Sequence, residues 1–109
     1  NYMIANTIIN TTATDILETP SDGTVSAYAG VGMFLCNIGG SNETMNIYAV
    51  PSGATASDSN VIIKNLTVSS GDTYEFSAEK FLLNAGESIV ASGSNGNLIN
   101  ATITYTEIS

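Results

Sequence analysis

The chain reads as an all-β protein: an Ig-like or jelly-roll β-sandwich of seven to nine short antiparallel strands. Three observations predict this. Apolar and polar residues alternate with a period of two along several runs, as half-buried strands require. Gly-containing turn clusters punctuate the chain every ~8–15 residues, most clearly Ser69-Ser70-Gly71-Asp72 and Ala85-Gly86-Glu87. Thr, Ser, Asn and Gly fill most of the non-apolar positions, which suits strands and turns better than helices. A closed barrel is the alternative architecture.

The elements follow in order. Ile4–Asn10 and Ala13–Glu18 read as the first strands, closed by the turn residues Pro20-Ser21-Asp22-Gly23. Thr24–Tyr28 and Val31–Ile38 come next, with a bend or bulge expected at Gly30 and Gly32. Val31–Ile38 is apolar on both faces, which predicts a central strand covered on both sides. Thr44–Val50 alternates, with Met45, Ile47 and Ala49 on one face, and Pro51-Ser52-Gly53 ends it. Ala54–Asn60 reads as an exposed loop and Val61–Val68 as a strand. In Thr73–Ala78, Tyr74, Phe76 and Ala78 share a face; Glu79–Asn84 is expected to continue as strand, the alternative being a short helix favoured by Glu-Lys-Phe-Leu-Leu but too short to be stable alone. Ser88–Ser92 and Leu98–Ile108 flank Asn95-Gly96, the dipeptide of a tight β-hairpin. On the last strand Ile99, Ala101, Ile103 and Tyr105 are expected to face inward.

At 109 residues the chain is expected to be one domain, 1–109, with no linker or repeat; residues 1–10 are a candidate docking arm or an ordinary first strand. Ten acids stand against Lys64 and Lys80, giving a net charge of −8. Phosphate contacts need Lys and Arg, so nucleic acid is not an expected partner, and an anionic membrane would repel this surface. No apolar run approaches a membrane span, and Asn1–Asn6 lacks the character of a secretory signal. Synthesis in a reducing cytosol is therefore the default.

Catalytic chemistry is not expected. There is no His, so Cys36, the one cysteine, lacks the usual base; in its apolar run it reads as a buried, inert thiol. Lys64 and Lys80 lie in no catalytic motif. Glu75 and Glu79 fall about 13 Å apart on a strand, too far for a retaining glycosidase pair, and read as solvating charges. No cofactor is expected. Structural calcium has candidate loops at Asp22-Gly23, Asp58-Ser59-Asn60 and Ser70-Gly71-Asp72, all of which also suit turns without a metal. Tyr2, Tyr28 and Tyr48 are candidate stacking platforms for a sugar, against packing as the plainer role. Asn10, Asn42, Asn65 and Asn100 sit in glycosylation sequons that an Asn- and Thr-rich chain produces by chance.

Four segments carry a resemblance. They are Phe34-Leu-Cys-Asn-Ile-Gly39, Asn46-Ile-Tyr-Ala-Val-Pro-Ser-Gly53, Val68-Ser-Ser-Gly-Asp-Thr-Tyr-Glu-Phe76 and Leu82-Leu-Asn-Ala-Gly-Glu-Ser-Ile-Val-Ala91. In cadence this resembles small β-sandwich structural proteins of tailed-phage virions, of the head decoration (cement) or tail and fibre accessory type. The resemblance implies a non-enzymatic virion protein assembled in the host cytoplasm. Its expected partners are other virion proteins, the major capsid protein first, and further copies of itself. It implies no catalytic or cofactor residues. A glycan-binding, adhesin-like module is the alternative.

Overall fold

The computed structural model describes residues 2–77 and 81–108, and these form an all-β structure of nine strands in two antiparallel sheets. The strands are β1 (Tyr2–Ile9), β2 (Thr14–Glu18), β3 (Ala27–Asn37), β4 (Glu43–Val50), β5 (Val61–Val68), β6 (Thr73–Phe76), β7 (Leu82–Asn84), β8 (Ser88–Gly93) and β9 (Ile99–Ile108). One sheet has the order β1-β9-β3-β6, with β7 also paired to β3; the other has the order β2-β8-β4-β5. Except for β4–β5 and β6–β7, each consecutive pair of strands is split between the sheets. With β6 and β7 counted as one interrupted edge strand, this is the eight-stranded jelly-roll order, one of the two sandwich types expected.

Alternation explains the core. Ile9, Met33, Leu35, Ile99 and Ile103 point inward from the first sheet and are fully buried. Met45, Ile47, Ile89 and Ala91 meet them from the second. Tyr105, also expected inward, stacks at an angle on Tyr28 with ring centroids 4.8 Å apart. Both rings pack against the core.

Several expectations change. Thr24–Tyr28 and Val31–Ile38 are not two strands: Ala27–Asn37 is one, with the bulge falling between Gly30 and Gly32. Among the described residues no second layer covers the outer face of β3. Phe34 is 46 % exposed, and Cys36 is half-buried instead of enclosed. Apolar residues on both faces of a strand do not by themselves supply a second covering layer. Ala49 is only half-buried while Val50 is buried, so the inward alternation of β4 breaks at its end.

Asn95-Gly96 makes no hairpin: β8 belongs to one sheet and β9 to the other. Within this loop the positive φ falls on Asn97, at 65°, whereas a type I′ turn needs it at both central residues. Residues 2–9 form no free arm; they pair with β9 from Tyr2↔Thr106 to Ile9↔Ile99. Of the segment Glu79–Asn84, residues 79 and 80, like Ala78, lie outside the described residues. β7 resumes pairing on the same edge of β3 that β6 occupies, against Ala27–Ala29.

The Gly turns form as the sequence predicts. Gly53, Gly71 and Gly86 have φ of 80°, 76° and 81°. Each is third in a four-residue turn closed by an N–H to carbonyl bond: Ala54 to Pro51, Asp72 to Ser69, and Glu87 to Asn84. Left-handed φ at that position is what a Gly supplies without steric cost.

Candidate interaction face and polar clamps

Two buried polar groups tie the loops to the sandwich. Asn37 ends β3 and is fully buried. Its Nδ2 donates to the carbonyls of Ser41 and Val68 at 2.8 Å each, and its Oδ1 accepts from the Gly39 N–H at 2.8 Å. Its backbone N–H donates to the Asp72 carbonyl and its carbonyl accepts from Gly71. Glu43 begins β4 and is 3 % exposed. Its Oε1 accepts from Asn95 Nδ2 and Ser94 Oγ, both at 2.8 Å, and its Oε2 accepts from Ser41 Oγ at 3.1 Å. The Asn95 and Ser94 hydrogen bonds hold this carboxyl below its ordinary range, against the opposing effect of burial. The backbone of Ser94 is tied as well, donating to the Thr44 carbonyl at 2.8 Å. This clamp directs residues 93–97 across the sandwich and explains why Asn95-Gly96 does not turn back on β8. The sequence reading missed both residues; each is a lone polar group next to a strand boundary, a pattern that ordinary loop residues share.

The other singled-out residues are scattered. Cys36 lies on the outer face of the first sheet, opposite Asn100 and Thr73. Glu75 lies opposite Phe34 on that same face and is exposed; Glu79 and Lys80 are outside the described residues. Lys64 pairs with Asp58, both carboxylate oxygens at 3.1 Å, on an exposed surface. Asp22 Oδ1 accepts from the Thr24 hydroxyl and N–H, which lower its pKa. Asn60 binds Ser57 and Thr55 within its own loop. Among the described residues no three His, Cys, Asp or Glu converge as metal ligands. Of the tyrosines, Tyr28 is packed on Tyr105, Tyr48 is half-buried, and Tyr2 is 75 % exposed. Three surface depressions hold about 210, 290 and 180 Å³, below the roughly 300 Å³ at which small-molecule sites begin.

The most distinctive surface is the outer face of the first sheet. The strand registers set Ile4 beside Thr104, Asn6 beside Thr102 and Ile8 beside Asn100, with Phe34 and Cys36 of β3 on the other side of Thr102 and Asn100. Ile4 is 69 % exposed and Ile8 39 %. Over β1, β9 and β3 the outward positions carry no charged side chain, and Glu75 stands at the margin on β6. On a chain of net charge −8, this is a Thr-rich, partly apolar plane from which charge is excluded. The sequence reading placed a strand at Ile4–Asn10 and Tyr2 among the candidate exposed rings, but assigned no face to Ile4 or Ile8. No protein-family model matches the chain, and no match was found among curated proteins or solved structures.

Proposed function

We propose that this protein is a non-enzymatic structural protein of a tailed-phage virion, a decoration protein that docks on the head shell. The observation that carries the reading is the uncharged outer face of β1, β9 and β3, with Phe34, Ile4 and Ile8 exposed on an otherwise acidic molecule. Apolar side chains that face water on one charge-free sheet face mark an interaction surface. The jelly-roll order adds support by analogy of fold alone, since viral capsid and lectin domains use it. Asp22 and Glu87 spend their carboxylates on turns, Glu43 on a clamp and Asp58 on an ion pair, which suits a protein whose work is adhesion to a surface.

Mass spectrometry of purified particles tests the reading, with the chain expected at a fixed ratio to the major shell protein. Its absence from mature particles would sink the proposal. Phe34→Thr, a polar residue that suits a strand and sits opposite Glu75 without adding charge, is expected to leave the fold intact and strip the protein from particles. Full retention of that variant would move the docking surface elsewhere.

A further inference from the structure

We propose that β1 is a self-association edge, pairing antiparallel with β1 of a second copy so that two first sheets join into one. The inference concerns contact between copies and does not depend on the virion reading.

The four edges of the sandwich are unequal. A sheet edge offers unpaired N–H and C=O groups to any passing strand, and proteins usually block it with charges, bulges or short strands. β2 is five residues long, bulged between Asp15 and Leu17, and carries Asp15 and Glu18. β5 has register shifts against β4, a left-handed Asn65 with φ of 57°, and Lys64. The β6–β7 edge is interrupted between Phe76 and Leu82 and carries Glu75. β1 runs eight residues in unbroken register, with no charge, no proline and no bulge. Among the described residues its one sheet neighbour is β9.

Backbone direction and side chains agree on a register. The Ile9 carbonyl lies on the β9 side, where it accepts from the Asn97 N–H. Alternation then turns the backbone groups of Ile4, Asn6 and Ile8 to the open edge. A two-fold pairing centred on Asn6 sets Ile4 against Ile8 of the second copy, twice, with the two Asn6 side chains between them. A centre on Ala5 would oppose Ile4 to Asn6, so the apolar pattern favours Asn6. The occupant is a second copy because this strand complements itself in that register. At −8 per molecule, an uncharged edge is also where two copies approach with least repulsion. The joined sheets make one continuous outer face.

An eight-residue edge buries less than a standard interface, so the expected dissociation constant is on the order of 10 µM, tightening with salt as repulsion is screened. Sedimentation of the full chain should show dimers that Asn6→Lys abolishes, because two like charges would then face each other. Circular dichroism and thermal melting of that variant should match the parent, since Asn6 is exposed. In a Cys36→Ser background, Asn6→Cys should form a disulfide-linked dimer under mild oxidation, as directly opposed strand residues lie within disulfide reach. A parent chain that stays monomeric at about 1 mM overturns the proposal. So does a dimer that survives Asn6→Lys, or one that crosslinks through Phe34→Cys but not Asn6→Cys.

Discussion

The Asn37 side chain has every polar atom engaged and none exposed, so its replacement isolates what a single buried amide is worth here. Leu has similar volume but leaves the Val68 and Ser41 carbonyls and the Gly39 N–H short of a partner. Each such orphan costs about 1–3 kcal/mol when water cannot replace it. The Val68 bond is buried and the Ser41 and Gly39 bonds part-buried, so Asn37→Leu is expected to destabilise by about 2 kcal/mol, read as a lowered urea midpoint with an unchanged slope. Thr19 is the smaller case of the same kind: fully buried, it donates from its hydroxyl to the Leu83 carbonyl at 2.7 Å. These residues were not legible beforehand. Asn37 reads in the sequence as the start of a Gly-rich turn, and only the approach of Val68, distant in the chain, shows that it holds two loops together.

Turns and strands were more legible, for local reasons. Gly71 and Gly86 each stand directly before an acid, Asp72 and Glu87, and the backbone conformation they permit is set within four residues. Strand existence followed the same local logic for β5 and β9. What failed depended on distant partners: the Asn95-Gly96 hairpin lost to a clamp from Glu43, and among the described residues no layer supplies the expected cover over Phe34. The two turn glycines also differ through a distant contact. A Cβ at Gly71 meets nothing within 4 Å, whereas one at Gly86 would fall 2.5 Å from Ser52 Oγ and 3.0 Å from its Cβ. Both substitutions carry the left-handed penalty of about 1–2 kcal/mol. Gly86→Ala is expected to cost more than Gly71→Ala by about 1 kcal/mol or more, since Ser52 must shift as well. Ser52→Gly should recover that excess in a double-mutant cycle and leave the shared φ penalty in place. Equal costs for the two glycines would show that Ser52 yields freely.

For the molecule as a whole, Glu43 links stability to pH because its carboxylate holds the crossover between the two sheets. The hydrogen bonds from Asn95 and Ser94 depress its folded pKa below the ordinary 4.5. A depressed carboxyl contributes stability that is fully present above the unfolded value and is lost as pH falls through the folded one. Asp22 has the same sign, through Thr24, from an ordinary value of 3.8. It is exposed, however, so solvent screens most of its contribution. Glu43→Gln retains an acceptor for Ser94 and Asn95 without the charge, and so resembles the protonated state of the clamp. The variant is expected to be less stable than the parent near pH 7, with the gap closing as pH drops below about 4.5. Urea midpoints for both proteins across that range give the measurement. The acid limb of the parent curve should be steeper than that of the variant. Parallel curves would mean that the clamp orders the crossover without favouring the ionised form, and that acid sensitivity arises elsewhere on this highly acidic chain.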